Sequence, residues 1–271
     1  MKPFIFKIIA LIFFSIFTTQ LSAQKFQGKA YYFSKSKMEL GNWGARMSEA
    51  QKKQIQNRLK DRLEKKYILN FNMQESTFLE EDKIDAISGA TDSWGGYFSR
   101  GDLHKNIKEN KLVQSQEFYG KRFLVKDKLV NIEWSLGTET KKIGNYTCYK
   151  AAAMVSKSEL NWFDFSWNDL RQNSDETEKI EEPMIVIEAW YTPQIPVAQG
   201  PAEYWGLPGL ILEVSAGNTT LLCSEIILNP KEKVTITAPD KGENITKKGY
   251  TSNIRKKMVE MRNNRMGRRS R

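Results

Sequence analysis

Between Tyr67 and Leu228 the chain returns again and again to one pattern: a short run rich in β-branched and aromatic residues, then a turn. The runs read "YILNFNMQESTFLEED", "LVQSQEFYG", "KRFLVKD", "VNIEWSL", "YTCYKAAAMV", "MIVIEAWYT", "LILEVS" and "TLLCSEIIL". In the first, Tyr67, Leu69, Phe71 and Met73 alternate with Ile68, Asn70, Asn72 and Gln74. That period of two marks a half-buried strand, read over 67–79. Gly120, Lys126–Asp127 and Gly144–Asn145 fall where the chain must reverse, and "SAGN" after Val214 reads as a hairpin connection. A further strand opens the body at "KFQGKAYYFSKSKM", with Tyr31 and Phe33 on one face. Many strands joined by short turns predict a mainly β fold: a strongly curved antiparallel sheet of eight or more strands, half-barrel-like.

One helix stands out, over 48–67. Ser48 is placed to cap it, Glu49 sits in its first turn, and Ile55, Leu59 and Leu63 recur every four residues. The stripe is narrow, so the helix is expected to lie on the sheet by one face. The aromatic "ELNWFDFSWNDL" and the acidic "RQNSDETEKIEEP" interrupt the strands as an insertion over 156–183. Residues 85–110, rich in Gly, Ser and Asp, read as a loop with short strands.

The first 23 residues have the layout of a secretory signal peptide: Lys2 and Lys7, an apolar run from Ile8 to Phe17, and small residues ending at Ala23. The apolar run falls short of the roughly 20 residues that span a bilayer. The expected product is one exported β-rich domain, 24–253, found in the periplasm or outside the cell, followed by a basic tail, 254–271, disordered or briefly helical. Charge is concentrated at that end. Residues 247–271 hold ten Lys or Arg against Glu260 alone, which accounts for nearly all of the chain's net +10. A basic tail on a near-neutral body argues against a nucleic-acid-binding domain. It leaves an anionic membrane surface as a partner for the tail.

Chemistry is sparse. His104, in "RGDLHKN", is the one histidine and reads as a solvent-exposed loop residue. No G-x-S-x-G elbow accompanies it, and one His with two distant Cys lacks the spacing of a zinc site. No metal and no cofactor are predicted. Cys148 and Cys223 each sit in a strand-like run; they are either one disulfide or two buried thiols. Glu75, Glu80, Glu81, Asp82 and Asp85 read as a solvated turn. Glu188 and Glu213 differ because each interrupts an apolar strand, as an edge or ion-paired group or as a polar group lining a cavity.

The stretch "GPAEYWGLPGLILEV", 200–214, sets Gly and Pro directly before a strand. Pro208 and Gly209 suit the two central positions of a type II turn, with Gly209 at positive φ. Pro193, Pro196 and Pro201 cannot donate to a ladder and mark a crossing at the sheet edge. With "EWSLGTETKKIGNYTCYKA" at 133–151, these residues resemble the GLPGLI proteins, an exported Gram-negative family of unknown function. The hexapeptide is Gly206, Leu207, Pro208, Gly209, Leu210 and Ile211. The resemblance implies a cell-envelope role accompanying TonB-dependent outer-membrane transport, and no catalytic residues. The expected function is that of a periplasmic binding or accessory protein. It would hold an apolar ligand or a membrane-protein partner on the concave side of the sheet, near Trp162, Glu188, Trp190, Tyr191, Leu210 and Leu212. The alternative is an exported carboxylate-dependent hydrolase using groups such as Glu188.

Overall fold

A computed structural model describes residues 26–37, 46–81, 100–118, 120–163 and 183–269. The expected leader peptide, Asp82 and Asp85, and the insertion residues Phe165 and Trp167 lie outside the described residues.

The fold is mainly β, with one accessory helix packed on the sheet. Twelve strands are described: β1 (Gln27–Ser36), β2 (Glu64–Asn72), β3 (Glu75–Glu80), β4 (Leu103–Asn106), β5 (Lys111–Phe118), β6 (Lys121–Asp127), β7 (Ser135–Ile143), β8 (Tyr146–Ser156), β9 (Met184–Thr192), β10 (Leu210–Ala216), β11 (Thr219–Leu228) and β12 (Glu243–Ile245). They form one sheet in the order β12-β6-β5-β4-β3-β2-β1-β11-β10-β9-β8-β7. Two meanders, β2–β6 and β7–β11, flank β1, which pairs with both β2 and β11. Every pair is antiparallel except β12 with β6, so the sheet is mixed where a purely antiparallel one was expected.

Topology forces the curvature. The chain passes from β6 to β7, ten positions apart in the sheet, through residues 128–134 alone. In a flat sheet that gap is about 48 Å. The link reaches about 29 Å when fully extended. The sheet therefore has to curl until its two ends approach.

The predicted helix forms within the range its spacing gave, but it ends at Leu63 and through Arg58 it buries no face. Ser48 caps α1 (Glu49–Arg58) in a capping box with Gln51, and α2 (Lys60–Leu63) follows. No side chain of α1 is buried. By Glu64 the chain is already in β2, so Tyr67 begins no new element. The strand expected over 67–79 is a hairpin. Asn72 Oδ1 accepts from the backbone N–H groups of Gln74 and Glu75, both at 2.7 Å, and so folds the turn. "VNIEWSL" is not a strand either; most of it is the crossing between the meanders.

The cradled helix is C-terminal. Within the insertion a short α3 (Lys157–Leu160) leads to Trp162 and Phe163. The basic tail forms α4 (Lys247–Arg269), so the boundary expected at 253 cuts a continuous 23-residue helix. Thr246 Oγ1 accepts from Gly249 N, and Asp127 Oδ2 accepts from Lys247 N at 3.1 Å, fastening the N-terminus to β6. Tyr250, Ile254 and Met258, four residues apart, are buried against Phe118, Phe123, Val125, Trp162 and Phe163. Tyr250 meets the rings of Phe123 and Trp162 edge-on, at 5.4 and 5.5 Å. A larger core, including Tyr32, Leu69, Phe71, Phe78, Ile187 and Ile211, fills the middle of the sheet.

Candidate functional site

The larger core is capped by the chain itself. Residues 193–209, between β9 and β10, run across the inner face, with Ile195, Val197, Ala202 and Leu207 buried. The proline-rich stretch is an internal cover, not a crossing at the sheet edge. Its hexapeptide turns differently from the type II prediction. Gly209 N donates to Leu207 O at 2.8 Å, a three-residue turn centred on Pro208, whose ring already fixes a suitable φ. The positive φ lies at Gly206, +94°. Gly209 is glycine for a steric reason: a Cβ there would stand 2.2 Å from the Thr192 carbonyl oxygen. The two tryptophans flanking this corner fasten it reciprocally. Trp134 Nε1 donates to Trp205 O, and Trp205 Nε1 donates to Val130 O, both at 2.8 Å.

A buried polar cluster holds the other end of the cover. Lys105 on β4 is fully buried, and its Nζ donates to Gly200 O at 2.7 Å and Tyr204 O at 2.9 Å. Arg100 forms a buried ion pair with Glu203. Ser76 Oγ on β3 donates to Gln199 Oε1 at 2.8 Å. These groups form a polar seam with Gln114 and Gln116 of β5, between the larger core and the aromatic one under α4. Burial, partly opposed by the Glu203 charge, lowers the Lys105 pKa to about 7. Irregular backbone inside a protein needs hydrogen-bond donors from elsewhere, and Lys105 supplies two at once.

Lys105 was not singled out in the sequence, although its neighbour was. His104 is not an exposed loop residue but part of β4, buried, with Nε2 3.7 Å from Glu75 Oε1. Burial lowers its pKa, partly offset by Glu75. The sequence of β4, Leu-His-Lys-Asn, carries no alternation, and four residues are too few to establish a period.

The proposed binding residues do not converge. Tyr191, Leu210 and Leu212 are buried in the larger core, and Trp162 lies in the smaller one. Trp190 shares a face with its partners Lys150 and Glu213, and is covered by Lys141 and Lys150, whose Nζ atoms stand 4.3 and 5.8 Å from its ring centre. On that same outer face Glu188 pairs with Lys150 at 3.0 Å and Glu213 with Lys141 at 2.8 Å. Each of these carboxylates is thus held by a lysine. Cys148 and Cys223 are unbridged and buried. Burial pushes their thiols up to about 11 and 12, which keeps them protonated and poor nucleophiles.

A shallow cleft of about 170 Å³ borders the polar seam, lined by Gly101, Asp102, Ser115, Gln116, Glu117, Arg122 and Lys241. It is smaller than the roughly 300 Å³ at which small-molecule sites begin. Among the described residues no cluster of His, Cys, Asp and Glu is arranged to hold a metal ion. Nor is any helix there long and apolar enough to cross a membrane.

Fold and site thus define a curled, mainly β protein whose inner face is covered by its own chain. Residues 134–213 match a protein family described as of unknown function, Porph_ging. The matched stretch begins at Trp134 and ends in β10, so it contains the reciprocal tryptophans and the whole of the cover. No curated protein matches the sequence. Among solved structures, PNGF-II in a C2 crystal form is similar at 16% identity and a TM-score of 0.46, over 84% of this chain and 32% of that one. Its P21 form is similar at 14% and 0.45, over 81% and 31%. This chain therefore spans about a third of the PNGF-II chain.

Proposed function

We propose that this chain is an exported, periplasmic accessory protein of the GLPGLI type that acts by binding a membrane-protein partner. One observation carries the reading: the inner face of the sheet is occupied by residues 193–209 and α4, which moves partner binding to the outer face. There Met154 and Val186 are directly opposed on β8 and β9, 61% and 62% exposed, with Met184 beside them at 52%. Exposed apolar side chains grouped on adjacent strands favour a protein surface as the occupant. The resemblance to GLPGLI proteins supports an outer-membrane transporter of the TonB-dependent kind as that partner. The buried state of the two thiols and the ion-paired state of Glu188 favour binding over chemistry.

Photocrosslinkers placed at Met154 and Val186, in cells that export the protein, test the reading. The expected product is a crosslink to an outer-membrane β-barrel from both positions, with none from Lys53 on α1. A stoichiometric apolar ligand in native mass spectra of the envelope-purified protein would replace the accessory reading with a carrier. Hydrolytic turnover abolished by Glu188→Gln would replace it with the hydrolase.

A further inference from the structure

The exposed side of α4 is strongly basic. Lys248, Arg255 and Arg262 recur every seven residues, which sets them in a row about 21 Å long on one side of the helix. Lys248 and Arg255 are exposed, as is Lys256 nearby, and Arg262 is half-buried. The acid on this part of the helix, Glu260, is engaged by Lys257 at 3.2 Å. Thr251 and Ser252 lie beside the row between Lys248 and Arg255, and the half-buried Val259 between Arg255 and Arg262. An adjacent side of the same helix, about 100° around its axis, is locked to the sheet by Tyr250, Ile254 and Met258, and Thr251 Oγ1 donates to Trp162 O at 3.0 Å. The basic residues therefore stand on a fixed platform and face one way.

We propose that this row is a docking surface for anionic phospholipid bilayers. The match is one of charge: a straight line of separated cations complements a broad sheet of lipid phosphates. Single-stranded nucleic acid calls for aromatic stacking surfaces beside the cations, and the aromatic of the described helix, Tyr250, is buried inward. Each Lys or Arg brought to an anionic membrane surface raises the affinity about fivefold. Three residues acting together give a factor on the order of a hundred. Docked this way, α4 would lie against the headgroups with the sheet to one side of it. The placement does not depend on what the outer face binds.

The test is co-sedimentation of the full chain with vesicles of phosphatidylcholine containing phosphatidylglycerol at three parts in ten. Pure phosphatidylcholine sets the baseline, including whatever the apolar run at residues 8–17 contributes. Binding above baseline should fall about a hundredfold in Lys248→Gln/Arg255→Gln/Arg262→Gln. It should persist in the control Lys53→Gln/Arg58→Gln/Lys60→Gln, which removes the same charge from α1 and α2. It should also vanish in high salt. Equal losses in the two variants, or no preference for the anionic vesicles, would overturn the proposal. So would tighter binding to a soluble DNA duplex than to the vesicles, which would mark the row as a general polyanion site.

Discussion

The two segments that cover the inner face answer the demands of burial in opposite ways. Residues 193–209 are irregular, so their carbonyls need donors from other elements: Lys105 for Gly200 and Tyr204, Trp134 for Trp205. The α4 helix satisfies its own backbone beyond its first turn, where Asp127 and Thr246 accept from Lys247 and Gly249, and is held mainly by a row of apolar side chains facing Phe123 and Trp162. One cover is fastened by a few directional bonds and the other by area. A cover of the first kind fails when a single donor is lost. The second kind loses stability in proportion to the surface removed.

The sharpest way to break this contrast is Lys105→Met. The substitution keeps the bulk of the side chain but leaves two buried carbonyls without a donor. It also removes a cation from the surroundings of Glu203. The expected cost is about 3–5 kcal/mol, because charge-assisted bonds are lost and their acceptors stay buried. For a domain of this size that lowers Tm by about 10 °C, measurable by calorimetry. An unchanged Tm would mean that the cover is held by apolar contact alone.

Next in size is Gly209→Ala. The new Cβ would meet the Thr192 carbonyl oxygen and carbon at 2.2 and 2.5 Å, both of them backbone atoms that cannot swing aside. An expected loss of about 2–3 kcal/mol follows from forced overpacking. At Gly206→Ala the space is open, with Trp134 no nearer than 3.7 Å, and the cost is the left-handed φ alone, about 1–2 kcal/mol. Chemical denaturation of the two variants should rank them in that order. The reverse order would mean that the Thr192 carbonyl can move aside and that the left-handed φ at Gly206 is the stronger constraint on the hexapeptide.

How much of this was legible beforehand follows from range. Strands β5, β6, β8, β9, β10 and β11 stand close to where the alternation put them, because period two is a local property. The capping box at Ser48 is equally local. What α1 packs against is not, and its stripe of Ile55, Leu59 and Leu63 gave no hint that its side chains stay outside the core. Conversely, Tyr250, Ile254 and Met258 have good helical spacing, but ten basic residues around them made the segment read as a solvated tail. The polar seam was invisible for a different reason. Lys105, Arg100 and Ser76 meet Gly200, Glu203 and Gln199 only when the sheet curls. That curl is set by the short link between β6 and β7, a consequence of strand order and not of any residue pattern.

On the helix side, Tyr250→Leu tests whether burial by area is as tolerant as argued. It trades two edge-on ring contacts for an aliphatic side chain, at an expected cost of about 1–2 kcal/mol. The loss should be local. Hydrogen exchange of α4 amides should quicken while those of β1, β2 and β11 keep their protection. Equal quickening in both places would show that the two covers form one cooperative unit.

The last test is of pH, and it sharpens the contrast because only one cover is held by the titrating group. With its folded pKa lowered to about 7 from an ordinary 10.5, Lys105 binds fewer protons in the folded state than in the unfolded chain between those values. Stability should therefore rise as pH increases through that window and decline on acidification towards 7. A neutral amine still carries two N–H groups, enough for the Gly200 and Tyr204 carbonyls, so deprotonation costs the cover no bond. His104, whose pKa is also lowered, contributes in the same direction at lower pH, below its ordinary 6.5. Tyr67, pushed up to about 12 by burial, opposes the trend only above pH 10. Thermal melts between pH 7 and 8, below the range where the two buried thiols oppose the trend, thus isolate the lysine: Tm should climb in the parent chain, stay flat in Lys105→Met, and climb unchanged in Tyr250→Leu. A flat profile in the parent would mean that Lys105 stays charged in the folded protein, with the Glu203 carboxylate as its true counterion.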